Sequence, residues 1–419
     1  MKILVLNAGS SSQKTSLYDL AGQMPESPPK AIWEGKLDWR DGRATLQART
    51  SLGASRKEDV PAARPSDATA HLLSFLTKGE TSVIGHKCEI AAVGHRIVNG
   101  GPEYAQPAFI TPPVRAAIEK MAVFAPLHNR AGLEGIALID KIFGPAVPQI
   151  AVFDTGFHSQ LPEAAAVYPG PYEWFGQGIR RYGFHGINHE YVAHRAAQLL
   201  GKNLTALKLV TCHLGNGCSL AAVSGGRSID TTMGFTPLEG LMMGTRSGSI
   251  DPAIVTYLMR ERHLSADQID DLLNKGSGLL GISGLSSDMR EIVARMKEGN
   301  SRAKLSFDIF IHRLQTGIGS MVAALGGLDA LVFTAGIGEN SPDVRAAACA
   351  NLEFLGVTVD QAKNRSAQQD ANIAATSSRM PVYVIHAEED WSIARECRRL
   401  LQSKGEAERS SRDISDRRE

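Results

Sequence analysis

The stretch Lys2-Ile3-Leu4-Val5-Leu6-Asn7-Ala8-Gly9-Ser10-Ser11-Ser12-Gln13-Lys14 decides how the chain is read. Ile3 to Leu6 form an apolar run that reads as a buried strand. Thr15-Ser16-Leu17-Tyr18 offers a return strand, with small polar residues making a tight turn between them. Asn7, Gly9 and three serines supply close backbone approach, amide N–H groups and hydroxyls, the parts that hold phosphate oxygens. Lys14 adds a positive charge just beyond the turn. This is not the G-x-x-x-x-G-K-[ST] loop, and no helix need follow it. An ordinary hairpin would look the same, so the reading rests on what recurs later.

It recurs at Leu207 to Cys212, a strand running into His213-Leu214-Gly215-Asn216-Gly217-Cys218-Ser219, with Leu220 to Val223 returning and Ser228-Ile229-Asp230 as a third strand. One strand-turn-strand unit thus begins each half of the chain, a weak internal duplication. A third glycine turn, Ala335-Gly336-Ile337-Gly338-Glu339-Asn340, follows the strand Leu331 to Thr334. It precedes a helix opened by Ser341-Pro342, whose N-terminus suits phosphate or ribose contacts. Together these predict a nucleotide gripped in a cleft between two similar α/β domains.

Charged groups stand at the ends of other predicted strands. Ile90 to Val93 delivers Gly94-His95-Arg96, and Gln149 to Phe153 ends at Asp154, the place where open α/β sheets put ligand chemistry. An Arg paired to a local carboxylate and an Asp capping a helix are the plain structural alternatives. Arg180 to His189 holds two arginines and two histidines, more than a fold needs. Arg246 lies in a glycine-flanked loop, and Glu388-Glu389-Asp390 precede the last helix. Two arginines facing acids and phosphates suit phosphoryl transfer to a small anion, and Asp and Glu are hard ligands for Mg²⁺.

Further expectations are local. Asp41-Gly42 marks a hairpin between Trp33–Arg40 and Arg43–Thr50, Asn129 caps a helix from Gly132 to Phe143, and the charged tail from Ser403 is disordered. Lys plus Arg (45) balances Asp plus Glu (44), so no basic footprint points to nucleic acid or an anionic membrane. The first apolar run is too short for a signal peptide, and no segment approaches a membrane span. Five scattered cysteines form no zinc spacing, and their odd number argues against a disulfide framework, which predicts a reducing cytoplasm.

Taken together the chain closely resembles the acetate kinase family, within the superfamily that includes actin, hexokinase and the heat-shock chaperone ATPases. The matching motifs are Asn7 to Ser12 with Lys14, Gly94-His95-Arg96, Ala125 to Asn129, Phe153-Asp154-Thr155, Arg181 to Gly186, His213 to Gly217, Asp230 to Arg246, Ser277 to Arg290, Gly336 to Asn340, and Glu388-Glu389. The resemblance implies two duplicated actin-like (ribonuclease H-like) domains with a nucleotide cleft between them. Residues 1–150 with a terminal helix 386–402 would form the first, 151–385 the second with the adenosine site and a homodimer interface, and 403–419 the tail. It implies reversible, Mg²⁺-dependent transfer from ATP to acetate, giving acetyl phosphate and ADP, with Mn²⁺ as an alternative ion.

By the same resemblance, Arg96, Asp154, His185 and Arg246 sit at the transfer site, with His128 and His213 nearby. Asn7 and Glu388 hold or neighbour the metal. Lys14, Asn216 and Gly217 contact phosphates, and His213, Leu214 and Gly215 belong to the nucleotide site. Asp288, Met289, Arg290, Gly336, Ile337, Gly338, Glu339 and Asn340 line the nucleotide site. Val98, Leu127, Phe184 and Pro237, beside Arg96, form the pocket for the acceptor's methyl group. Departures from the family pattern are Asn99, Arg130, Gly156 and the run His386 to Asp390. A carboxylate acceptor is already ionised, so Asp154 is expected to bind metal or position groups more than to act as a base. The rivals are a propionate or butyrate kinase with the same mechanism, and a non-catalytic actin-like nucleotide-binding protein.

Overall fold

In the computed structural model, all residues are described except Ser10, Ser11, Asp41, Ala63, Phe124, Ala125, Gln369 and 417–419; for Arg40, Val123, Pro126, Leu127, His128 and 407–416 only the backbone is. The chain divides into two units, Met1–Gly156 with Glu388–Glu419, and Phe157–Ala387.

Unit one is built on β1 (Lys2–Ala8), β2 (Ser12–Asp19), β3 (Trp33–Arg40), β4 (Arg43–Thr50), β5 (Ser55–Pro61), β6 (Ile90–Ile97), β7 (Ala108–Phe109) and β8 (Gln149–Phe153), in the sheet order β5-β4-β3-β2-β1-β6-β8-β7. β1 pairs antiparallel with β2 and parallel with β6, and β6 parallel with β8. Ile3 to Leu6 are buried throughout because β1 is central and covered on both faces. Gly94 and His95, neighbours on β6, point to opposite faces: Gly94 toward Ile393 and Cys397 of the helix Glu389–Asp416, His95 toward Gly135 of the helix Pro126–Phe143. A Cβ on Gly94 would sit 2.6 Å from both Ile393 Cγ2 and Cys397 Sγ, so this glycine sets how closely the last helix docks. β3 and β4 pair in the predicted register, Leu37 opposite Leu46 and Trp39 opposite Ala44.

Unit two contains β9 (Lys208–Leu214), β10 (Cys218–Ser224), β11 (Arg227–Thr231), β12 (Ala330–Thr334), β13 (Ala371–Asn372) and β14 (Val382–Val384), ordered β11-β10-β9-β12-β14-β13. β9 to β11 form an antiparallel meander, and β9, β12 and β14 run parallel. That is the arrangement of β1, β2, β3, β6 and β8, so the duplication hinted at by two hairpins extends to five strands. In this correspondence Asn7, one residue before the end of β1, falls where His213 stands on β9.

Several local expectations are corrected. The helix carrying Asn129 begins at Pro126, and Asn129 caps nothing: its side chain bonds the Asn99 backbone N and O at 3.1 and 2.9 Å and the Ile118 carbonyl at 3.2 Å. The last helix continues through Asp416 instead of giving way to a disordered tail at Ser403, because Glu, Ala, Lys and Arg favour helix even where no apolar face remains. Residues 335–340 form a short helix, not an open glycine turn. No helix among the described residues is long and apolar enough to cross a membrane.

Candidate active site

In unit one, the carboxyl ends of three parallel strands bring together Asn7, Arg96 and Asp154. Arg96 donates from Nε to Asp154 Oδ2 at 2.9 Å and again from its second terminal nitrogen to the same oxygen, and from NH1 to Asn7 Oδ1 at 3.4 Å. Asp154 is fully buried, and its Oδ1 has no hydrogen-bond partner. Burial pushes its carboxyl up to about 6, against the pull of the Arg96 charge and hydrogen bonds. Burial works to lower Arg96, but Asp154, Glu389 and Asp390 outweigh it and hold the guanidinium charged. The plain alternative for Arg96, pairing with a carboxylate, and the functional one therefore coincide in one contact.

Asn7 Nδ2 donates to Glu389 Oε2 at 3.1 Å and Asp390 Oδ1 at 2.9 Å, and Ser16 Oγ donates to Asp390 Oδ2 at 2.7 Å. Sequence reading singled out Glu388; the two acids that reach Asn7 are the next ones along, while the Glu388 carbonyl accepts from Ser392 N at 2.9 Å, opening the helix. Asp390, one of the departures from the family pattern that the resemblance gave, has both carboxylate oxygens bonded, one by Asn7 and one by Ser16. Lys14 stands directly across β1–β2 from Asn7, so both side chains leave the same face of the hairpin.

Val98 and Asn99 follow β6 and are buried. Asn99 Oδ1 accepts from Gly101 N at 2.8 Å, whereas Nδ2 has no partner. Leu127 and His128 lie on the helix Pro126–Phe143 with side chains outside the described residues. A Cβ on Gly156 would meet the Ala105 carbonyl at 2.5 Å, which accounts for glycine there.

In unit two, His185 caps the helix Gly186–Leu200 with a left-handed backbone, φ 57° and ψ 23°, a strained state for a residue other than glycine. Its ring stacks on His213 with centroids 3.9 Å apart and planes 8° from parallel. Asn188 Nδ2 donates to His213 Nδ1 at 2.8 Å. The β9–β10 turn closes through Gly215 N to Gly217 O at 3.0 Å, and Asn216 O accepts from Gly244 N at 3.1 Å. A Cβ on Gly217 would lie 3.4 Å from both His185 Nε2 and Arg246 NH1, so ring and guanidinium both border the space over this glycine. Arg246 NH1 also donates to the Pro237 carbonyl at 3.4 Å, and His158 Nε2 donates to the carbonyl of buried Phe184 at 3.0 Å.

Asp288 caps the helix Met289–Lys297 by accepting from Arg290 N at 2.9 Å and pairs with the Arg290 side chain; Met289 is buried. Gly336, Ile337 and Gly338 lie on the short helix after β12, and Asn340 Nδ2 returns to Gly336 O at 2.9 Å. Glu339 accepts from Ala387 N at 3.0 Å and from the His386 ring. Burial pushes its carboxyl up, but those bonds prevail and hold it below the ordinary range.

Sequence reading missed Arg345. This buried guanidinium donates to the carbonyls of Gly338 and Glu339 at 2.8 and 2.7 Å and to Asn364 Oδ1 and O at 2.8 and 2.7 Å. Its only signal was one arginine in the otherwise small, apolar run Val344 to Cys349.

Two sheets of one duplicated topology, with ligand-type groups at the carboxyl ends of their parallel strands, define the actin-like, ribonuclease H-like ATPase fold. The Acetokinase family profile matches residues 2–395. An acetate kinase of Cyanothece sp. is 56% identical over 409 residues, covering 97% of this chain and all of that one. The acetate kinase structure from Porphyromonas gingivalis superposes with a TM-score of 0.86 at 39% identity, covering 96% of this chain and 99% of that one. A propionate kinase structure from Francisella tularensis gives 0.85 at 38%, covering 94% and 98%. The chain belongs to the acetokinase family.

Proposed function

We propose that the chain phosphorylates acetate from ATP, reversibly, giving acetyl phosphate and ADP. The observation that carries this reading is the Arg96–Asp154–Asn7 set: a charged, half-buried guanidinium anchored on a buried carboxylate, with buried apolar Val98 two residues on, suits a small carboxylate better than a sugar hydroxyl. A carboxylate oxygen attacks the γ-phosphorus in line, the bond to the ADP oxygen breaks, and no proton must be removed from the acceptor. Arg96 binds and aims the carboxylate. Arg246 and His185, both bordering the space over Gly217, face the equatorial phosphoryl oxygens as charge spreads over them. Lys14, the β9–β10 turn and residues 336–340 hold the nucleotide.

The residues of unit one fit Mg²⁺. Asp154 Oδ1 is a buried, orphaned acceptor, and the acids that open the last helix adjoin Asn7. Among the described residues no group of three or more His, Cys, Asp or Glu forms a ready-made metal cage. Mg²⁺ is ordinarily held by one or two carboxylates together with phosphates and water. Asp154 and Asn7 would hold it, with Glu388 added on the family resemblance alone, and there it would neutralise phosphate charge. Asp154 therefore serves as ligand and as anchor for Arg96, not as base.

We further place the protein in a reducing cytoplasm, since all five cysteines are free and all but Cys88 are buried, and we take it to act as a homodimer. The propionate kinase likeness keeps a second acceptor in view, because one methylene in an apolar pocket is worth only about 1–3 kcal/mol. The test is acyl phosphate trapped as hydroxamate from ATP, Mg²⁺ and formate, acetate, propionate or butyrate. A maximum at acetate is expected. A maximum at propionate or butyrate keeps the mechanism and changes the acceptor; no product from any acid, in protein that binds ATP, rejects the reading.

A further inference from the structure

Four histidines of unit two lie close together: His185 on His213, His213 6.1 Å from His189, and His189 5.6 Å from His158. One string of hydrogen bonds runs from His185 into the sheet. His185 Nδ1 lies 2.9 Å from Ser219 Oγ, Ser219 Oγ 2.8 Å from His189 Nε2, and His189 Nδ1 2.7 Å from Thr211 Oγ1, which donates to the Ala221 carbonyl at 3.5 Å. Ser219, Thr211 and His189 are all fully buried, so no water competes for these bonds.

Ser219 and Thr211 each own one O–H, so placing the Thr211 proton sets the direction of the whole string. With that proton given to the Ala221 carbonyl, the longest link at 3.5 Å, Thr211 accepts from His189 Nδ1–H. Burial holds His189 well below the ordinary histidine range, so the ring is neutral with that single N–H, and Nε2 is an acceptor. Ser219 therefore donates to His189 and can only accept from His185, whose proton must sit on Nδ1.

We propose that Ser219, His189 and Thr211 are a positioning relay that holds His185 in its Nδ1–H form and reserves Nε2 for the transferring phosphoryl group. This rests on His185 belonging to the transfer site, as proposed above. Two further observations agree. The left-handed backbone fixes where the ring starts, and Nε2 and Arg246 NH1 both border the space over Gly217, each 3.4 Å from where a Cβ there would sit. With Nδ1–H committed to an oxygen, a second proton goes to Nε2, and the ring becomes a charged donor where phosphate oxygens arrive. His213, stacked on the other side, takes a hydrogen bond at Nδ1 from Asn188 and so carries its own proton at Nε2 when neutral.

The test is ¹⁵N NMR of the histidine rings in the full chain at pH 8, with His185 assigned through His185→Gln. A protonated Nδ1 and bare Nε2 on His185 are expected; the opposite tautomer overturns the relay, and this measurement needs no variant of its members to fold. Ser219→Ala is expected to let His185 average between tautomers and to lower kcat about 10- to 30-fold, with both KM values within about twofold. Ser219→Cys, which keeps a donor and acceptor in place, should fall between. Wild-type kcat and tautomer in Ser219→Ala would overturn the proposal. If His185→Gln itself keeps full kcat, the placement of His185 at the transfer site fails, while the tautomer still decides the relay.

Discussion

Arg96 and Asp154 share one buried charge pair, so separating them has a cost whose sign depends on pH. In Arg96→Met the Asp154 carboxyl stays buried without its cation and its folded value climbs further above 6, while its unfolded value stays near the ordinary one. An acid raised on folding costs nothing below its unfolded value and costs progressively more as pH rises through the folded value. The deficit against wild type should therefore be about 3–5 kcal/mol at pH 8 and shrink on going to pH 5. Urea unfolding at both pH values checks this, and an equal deficit at both would refute it. Asp154→Asn keeps the shape but removes the charge. It should lower kcat about 10²- to 10³-fold at saturating Mg²⁺; near-full activity would remove Asp154 from both proposed roles.

At the scale of the element, the short helix Ala335–Asn340 depends on Arg345, which reaches back from the next helix to satisfy the Gly338 and Glu339 carbonyls. Its guanidinium is pushed down to about 10 by burial and spends its donors on four acceptors, a fork that lysine cannot reproduce. Arg345→Met should cost about 2–4 kcal/mol of stability by leaving these acceptors bare. The KM for ATP should rise about tenfold, with the KM for acetate unchanged within about twofold. Steady-state kinetics with each substrate varied in turn separates the two. Equal rises in both would mean that Arg345 supports the fold at large and not the nucleotide side.

For the whole molecule, the helix Ala253–Glu261 buries none of its residues and exposes Ile254 and Tyr257 a turn apart on one face, with Met259 on the other. Exposed apolar side chains sharing a helix face suit an interface, in keeping with the homodimer proposed above. Light scattering should give twice the chain mass of 45.0 kDa for the wild type and a shift toward the single-chain mass for Tyr257→Glu. A wild type that stays at the single-chain mass across micromolar concentrations refutes the dimer. A Tyr257→Glu variant that remains dimeric moves the interface elsewhere.

The chain's own pattern determined the two hairpins, the strands ending at Arg96 and Asp154, and the duplication. Apolar runs bounded by Gly, Asn and Ser turns are local features, and turn chemistry acts over a few residues. The Asn99 and Asn129 partnership, with Asn129 in the first turn of its helix, was beyond such patterns, and so was the helical state of residues 335–340, where two glycines argue locally for a turn. Tertiary structure alone decided which acids meet Asn7, across 382 and 383 positions of chain, and that Ser219 stands between His185 and His189. The same holds for the four acceptors that a solitary Arg345 serves. A buried polar group must find its partners wherever the fold brings them, and composition and spacing carry no record of that distance.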